Sequence, residues 1–282
     1  MEKKLWLYWS TGFKDCPKLV SIAKESIKKN AKDFEINYLC EKTVWDFISN
    51  NINSQVWEMM SEQHKSDYIR ISILEKYGGL WIDGTVIVMS SLKDLLKGKC
   101  DEGFFCFSWF KEDSIFVNSK VKKVGKNRVI ASWLIYSEKK NKIITKLRKE
   151  IIKYWNNPMS LKYFKKTIIK KILRRIYMYL YESKEPLRSG KNTKSLIRKF
   201  FGNSYLVIND CFANLIFNNN ECKYIWDKIP KITAMKSHQM IQFLTSDFVP
   251  EPLDYYPLQK LDYRLINNQK AFNYILEKIE YS

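Results

Sequence analysis

The sequence is poor in the residues that usually announce a cofactor or a scaffold of cross-links. His64 and His238 are its two histidines, too few and too isolated for a zinc centre. Six cysteines (Cys16, Cys40, Cys100, Cys106, Cys211, Cys222) form no C-x-x-C pair and no metal-knuckle spacing. A disulfide framework would be denser, so the count suits a reducing compartment. Nine glycines and seven prolines exclude collagen-like and low-complexity classes. No apolar run approaches the roughly 20 residues that a membrane span needs. The N-terminus, MEKKLWLYWS, starts basic, but its apolar run from Leu5 to Trp9 is shorter than a secretory signal core. These absences point to the cytoplasm.

What is present is a large apolar and cationic inventory. Hydrophobic residues make up 45% of the 282 residues and aromatics 15%, which excludes a disordered chain. The length suits one large α/β domain, or a domain with an appendage. Lys and Arg number 49 against 30 Asp and Glu, a net charge of +19. A chain this basic meets something anionic: nucleic acid, a lipid surface or a phosphorylated small molecule.

The first ninety residues read as alternating strands and helices. Leu5 to Trp9 is a short aromatic strand. Asp15 is a plausible N-cap for a helix that opens at Cys16-Pro17, runs to about Lys29 and turns Leu19, Ile22, Ala23 and Ile27 to one face. Phe34 to Cys40 alternates as a second strand, and Thr43 can cap a short helix carrying Val44, Phe47 and Ile48. Another helix spans about Gln63 to Tyr77 and stops at Gly78-Gly79, followed by the strand Leu80 to Ile82. This order predicts an open, Rossmann-type sheet with a ligand crevice beyond the strand ends. Beyond Tyr205 the chain reads as mostly helical. Val249 to Arg264, with three prolines, reads as extended coil, and Ala271 to Ile279 as a last helix.

The stretch HKSDYIRISILEKYGGLWIDGTV, His64 to Val86, carries the chemistry. Asp67 and Arg70, three apart, share a helical face with Ser66 nearby. Such a pair can hold sugar hydroxyls and an anionic phosphate. Asp83 follows an apolar strand directly and would project into the crevice. With the Thr85 hydroxyl it forms a hard-oxygen setting suited to a divalent cation bridging a diphosphate. A plainer reading stays open: a helix ion pair and an Asp-Gly turn, both common. His64 is open to a packing role, and Asn209 and Asp210 to a helix-start cap.

The same stretch resembles the donor-site signature of GT-A glycosyltransferases related to family 32, in particular the bacterial capsular polysaccharide synthesis proteins. Ser66-Asp67, Arg70, Gly78-Gly79, Trp81-Ile82-Asp83 and Thr85-Val86 match in order and spacing. Tyr8-Trp9, Phe104 to Trp109, Ser132-Trp133, Ile135 to Ser137, Tyr205 to Phe212 and Lys260 to Arg264 are similar to further blocks of the family. The resemblance implies a GT-A-like α/β fold with a mixed, mostly parallel sheet. It implies a donor core over 1–157, a basic helical insertion over 158–203 and an acceptor-side part over 204–282. It implies transfer of a sugar, with retention, from a nucleotide-diphosphate donor of the UDP-sugar type to a lipid-linked or surface polysaccharide acceptor. Asp67, Asp83 and Asp210 would be catalytic. Tyr8 or Trp9 would stack on the base, and Ser66, Asp67, Arg70, Asp83, Gly84, Thr85 and His238 would line the donor site. Mn²⁺ or Mg²⁺ would sit on Asp83 and Thr85. Two departures stand out: Thr85 replaces the second acid of the Asp-x-Asp motif, and Gln259 replaces a histidine of the family's tail.

The basic excess is concentrated where that family has no counterpart. Residues 161–199 hold 13 Lys or Arg against Glu182 and Glu185, a local excess of +11. Phe164, Ile168, Ile172, Ile176 and Leu180 step by four, with cations opposite. Such a face is either a solvated cover or an interfacial helix at an anionic membrane, contacting lipid through Phe164, Lys165, Ile168, Lys171, Ile172, Arg175 and Ile176. That would hold the protein peripherally on the inner face of the cell membrane. No nucleic-acid-binding module is recognisable, so no nucleic acid is expected. The rival reading is a non-catalytic membrane- or nucleic-acid-binding protein on the same fold, with Thr85 marking a decayed site.

Overall fold

A computed structural model describes residues 2–110, 128–157, 207–244 and 256–262, together with 273 and 277. The expected basic helix, its seven membrane-facing residues and the boundaries drawn at 157 and 203 fall on or beside residues outside that set.

The chain opens with strand β1 (Lys4–Tyr8), helix α1 (Lys18–Asn30) and strand β2 (Glu35–Leu39). A 3-10 turn (Val44–Asp46) and the short helix α2 (Ser54–Met59) lead to helix α3 (Glu62–Tyr77). Strand β3 (Gly79–Ile82), strand β4 (Val86–Val88) and helix α4 (Leu92–Leu96) follow. Strand β5 (Phe104–Phe110), strand β6 (Arg128–Ser137) and helix α5 (Lys142–Trp155) complete the first part. After them come helix α6 (Val207–Asn218), helix α7 (Asn220–Lys228), a 3-10 turn (Met235–His238), helix α8 (Gln239–Leu244) and strand β7 (Leu258–Lys260).

Five strands form one mixed sheet in the order β2-β1-β3-β6-β5. β2, β1 and β3 pair in parallel, and β6 runs antiparallel to both β3 and β5. Four strands therefore share one direction, and the fold is the expected α/β class. Strand alternation sends Trp6, Tyr8, Trp81, Phe104 and Ile135 to one face, where they meet α3, α5 and α6 in a single core. Leu5, Leu7, Leu80, Ile82, Phe105 and Leu134 occupy the opposite face with Ile27 of α1 and Leu92 of α4. Two apolar layers on one sheet require helices on both sides. No helix among the described residues is long and apolar enough to cross a membrane.

Several local expectations change. Pro17, not Asp15, occupies the cap position of α1, and no side chain caps that end. Thr43 stands at the cap position of the 3-10 turn as expected, but its hydroxyl bonds no amide of that turn and instead accepts from the Cys40 amide. Ser61 caps α3, accepting from the His64 amide, so the helix begins one residue before Gln63. The stretch expected as coil from Val249 to Arg264 contains β7. It pairs antiparallel with β4, Val86 opposite Lys260, in a second, two-stranded sheet. Pro257 immediately precedes that strand, where its missing N–H costs no ladder bond.

Gly78 and Gly79 turn the chain from α3 into the sheet. Both have positive φ, +67° and +102°. A Cβ on Gly79 would lie 2.4 Å from the Lys4 carbonyl oxygen of β1. Gly98 also has positive φ, +70°, but open space around it. Gly79→Ala is expected to cost about 3 kcal/mol or more, from left-handed strain plus overpacking, and Gly98→Ala only about 1 kcal/mol. Urea unfolding of both variants checks this; equal losses would show that the β1–β3 approach tolerates a methyl group.

Candidate active site

The order 2-1-3 reverses at β1: the chain leaves β1 to one side for β2 and returns to the other side for β3. In an open sheet this switch point leaves a crevice beyond the carboxyl ends of the two strands. A cleft of about 660 Å³ lies there. β1 delivers Tyr8, Trp9 and Ser10 to it, and β3 delivers Asp83, Gly84 and Thr85. The first turns of α3 add Glu62, Ser66, Asp67 and Arg70. The far wall holds Trp109, Ser132, Trp133, Asn209, His238 and Lys260.

Arg70 ties these walls together. Its guanidinium, only 3% exposed, donates to the Ser132 carbonyl of β6 at 2.5 Å and to the Ser66 hydroxyl at 3.2 Å. It pairs with Asp67 at 3.5 Å and with Asp83 at 3.1 Å, and lies over the Trp81 ring at 5.3 Å. Asp83 Oδ1 also accepts from the Trp81 indole at 3.0 Å. Its Oδ2 faces the ammonium of Lys260 at 3.7 Å. The backbone holds Asp83 from both sides: its amide donates to the Trp133 carbonyl, and its carbonyl accepts from Val86.

Unsatisfied polar atoms gather in the same cleft. Among the described residues, Tyr8 Oη, Asp67 Oδ2, Arg70 Nε and Trp133 Nε1 are buried without a hydrogen-bond partner, and all four residues line it. Each such atom costs about 1–3 kcal/mol unless something satisfies it. Tyr8 supplies a hydroxyl donor, since burial and the charges of Glu62 and Glu41 push its ionisation far up. Asp67 supplies a carboxyl whose pKa is raised to about 7. Burial is the main cause, Asp83 adds to it, and the attraction of Arg70 does not offset it. A donor and an adjustable acceptor, both buried, form a surface that recognises hydroxyl groups.

His238 is neutral at pH 7. Burial, aided by Lys260, lowers its pKa to about 4, against the pull of its hydrogen bond to Ala234. Its Nδ1 lies 2.8 Å from the Ala234 carbonyl, which can only accept, so the proton sits on Nδ1 and Nε2 carries the lone pair. The ring packs on Trp109 at 4.7 Å and Trp133 at 5.9 Å.

The expected metal ligands do not fit a divalent cation. The Lys260 ammonium donates to Thr85 Oγ1 at 2.5 Å while facing Asp83 Oδ2, so both oxygens already meet a positive charge. Arg70 and Trp81 occupy the other carboxylate oxygen. No group of three or more His, Cys, Asp or Glu among the described residues could hold a metal ion. Gln259 belongs to no ligand set. It is fully buried, accepts from the Met240 amide and donates to the carbonyls of Lys236 and Tyr256.

The structure thus brings Tyr8, Trp9, Ser66, Asp67, Arg70, Asp83, Gly84, Thr85 and His238 to one cleft. Asp210 is not brought there: Asn209 lines the cleft instead, its Nδ2 donating to the Ile130 carbonyl. Consecutive residues on α6 diverge by about 100°, and Asn209 is the one of the two that lines the cleft. His64 packs against Trp155 at 5.0 Å and contacts Ser61 Oγ, outside the lining. Sequence reasoning gave no role to Lys260, Trp109, Trp133 or Ser132. Their signal was the similarity of the blocks around them; nothing local marked the individual side chains.

Residues 1–193 match the capsular polysaccharide synthesis protein family, and this chain belongs to it; the match runs through most of the basic segment expected to lie outside the family. Over 120 residues it is 28% identical to an uncharacterized glycosyltransferase of Acanthamoeba polyphaga mimivirus, covering 39% of this chain and 43% of that protein's length. Among solved structures, the PaToxG glycosyltransferase is similar over 71% of this chain and 84% of its own, at 15% identity and a TM-score of 0.33.

The raised pKa of Asp67 has a sign that can be measured. A carboxyl that holds its proton more tightly in the folded state, about 7 against the ordinary 3.8, stabilises the fold fully below about pH 4; that contribution is lost as pH rises through about 7. Asp67→Asn removes the titration. Its melting temperature relative to wild type is expected to rise by several degrees between pH 4 and pH 8. A difference that does not change with pH would show that Asp67 ionises normally.

Proposed function

We propose that this chain is a glycosyltransferase that binds a nucleotide-diphosphate sugar in the cleft and passes the sugar to a lipid-linked or surface polysaccharide acceptor. The family and the relative's description support the reaction class. The observation that carries the reading is the pairing of two buried, unsatisfied groups, Tyr8 Oη and Asp67 Oδ2, with the charged cluster of Arg70, Asp83 and Lys260 in a cleft of about 660 Å³. Hydroxyl-recognising and phosphate-recognising groups side by side suit a sugar joined to a diphosphate, and the volume lies in the range of small-molecule sites.

In this reading Tyr8 and Trp9 sit against the base, Asp67 takes sugar hydroxyls, and Arg70, positioned by Asp83, meets the phosphate oxygens. The bond between the anomeric carbon and the diphosphate oxygen breaks with both electrons going to oxygen. The acceptor hydroxyl forms the new bond with retention at that carbon, and its proton leaves with the diphosphate. The positive groups stabilise the charge that grows on the departing diphosphate, a contribution of about 10²- to 10³-fold per well-placed donor. We also propose that residues 161–199 hold the protein on an anionic membrane through their cationic, amphipathic sequence.

The test of turnover is release of nucleotide (UDP, GDP or CMP) from a panel of UDP-, GDP- and CMP-linked sugars. A diphosphate-linked donor is expected to be consumed and to raise the melting temperature, with Asp83→Asn and Arg70→Lys each slowing release by about 10²-fold. A nucleotide that binds without turnover would favour the non-catalytic rival, and release unchanged by either substitution would remove the cluster from the reaction. Liposome flotation tests the membrane proposal: binding to anionic vesicles is expected in the full chain and to be lost without residues 161–200. Equal flotation of both would discard it.

A further inference from the structure

We infer that Lys260 is a built-in cation for the diphosphate and stands where a divalent metal ion would otherwise bridge protein and phosphate. The inference rests on the donor-cleft reading and goes beyond it by assigning the charge that neutralises the ligand.

Position is the first support. β7 pairs with β4, with Lys260 opposite Val86, and the Leu261 amide donates to the Thr85 carbonyl at 3.0 Å. This places residue 260 directly beside the loop that carries Asp83 and Thr85. The Lys260 ammonium has three protons. One goes to Thr85 Oγ1 at 2.5 Å and one to the Leu261 carbonyl at 3.1 Å. Asp83 Oδ2 lies 3.7 Å away, so the ammonium meets that carboxylate chiefly through charge. The side chain is 22% exposed and lines the cleft.

Rigidity is the second support. Along a strand successive side chains alternate, so a buried residue 259 implies that residue 260 faces the other way. The three hydrogen bonds of Gln259 fasten β7 to the Met240 amide and to the Lys236 and Tyr256 carbonyls. Lysine usually carries its charge on a loose stem. Here the stem starts from a clamped strand, and the tip is held by Thr85.

Charge is the third. Both oxygens of Asp83 face cations, Arg70 on Oδ1 and Lys260 on Oδ2. A metal bound to Asp83 and Thr85 would need those oxygens at about 2.0–2.1 Å and would repel the ammonium already touching them. Asp83 therefore serves as the post that spaces two cations, and a diphosphate entering the cleft meets both. Glu62, the other carboxylate at the α3 end of the cleft, is turned to Lys65 at 3.4 Å.

Isothermal titration of the full chain with UDP, in chelator and with Mn²⁺, tests the inference. Wild type is expected to bind UDP in chelator with an affinity that Mn²⁺ leaves unchanged. Lys260→Met, which should fold because the side chain is partly exposed, is expected to weaken binding about 10- to 100-fold, and Lys260→Arg to retain most of it. Matching melting temperatures without ligand confirm that the variants are folded. UDP binding that appears only with Mn²⁺ overturns the inference and leaves the donor-cleft reading standing. Binding in chelator that a folded Lys260→Met leaves intact also overturns it. If no nucleoside diphosphate binds under either condition, the donor-cleft reading fails first and the inference with it.

Discussion

The site depends on burying one guanidinium. Arg70 is withdrawn from water almost completely, and an unpaired charge there would cost several kcal/mol. Its hydrogen bonds and ion pairs reach α3, the loop after β3 and the backbone of β6. Those elements belong to different parts of the fold, and hydrophobic burial alone would not set their relative positions, because it has no preferred direction. The guanidinium does have directions, and its planar fork fits only one arrangement of the carbonyl and the two carboxylates. The geometry of Asp67 and Asp83 follows from satisfying Arg70.

Burial then divides the cleft into a neutral part and a charged part. The Asp67 carboxyl is pushed up to about 7 and the His238 imidazole down to about 4, in both cases chiefly by loss of water. Each shift favours the uncharged form. The linked stability effects oppose one another: Asp67 withdraws stability as pH rises from about 4 to 7, and His238 withdraws it as pH falls from its ordinary 6.5 towards 4. Between about pH 4 and 6.5 one group gains what the other loses, so the two contributions nearly cancel, and only the Asp67 loss continues towards pH 7. Fixed charge is densest around Asp83, where Arg70 and Lys260 face its two oxygens. A ligand that is polar at one end and anionic at the other matches that division.

The parts of this arrangement differ in how openly the sequence shows them. The β1-α1-β2 and α3-β3 units are legible because their apolar periodicity and the Gly78-Gly79 stop are local signals. The direction of β6 has no local signal, since an apolar strand reads the same from either end. α3 hides its chemistry for a different reason. Asp67 through Leu74 are all buried, so the helix shows almost no amphipathic contrast, and the Asp67–Arg70 spacing looks like an ordinary surface pair. β7 is hidden by its prolines, which mark coil until the partner strand β4 is known. Cap exchanges, such as Ser61 for a start at Gln63, shift a boundary by a residue without moving the site.

Lys260 and Thr85 lie 175 positions apart, and their contact exists only because β7 returns to β4. The stretch that matches the family ends at residue 193. It contains the floor of the cleft: Tyr8, Ser66, Asp67, Arg70, Asp83 and Thr85. Asn209, His238 and Lys260, which form part of the far wall, come from the chain beyond it. The recognisable motif is therefore an incomplete site. On its own it would present Asp83 with one cation instead of two and would leave the cleft without His238 and Asn209. The second cation at Asp83 is a property of the closed chain, set by a two-stranded pairing whose sequence shows no chemistry of its own.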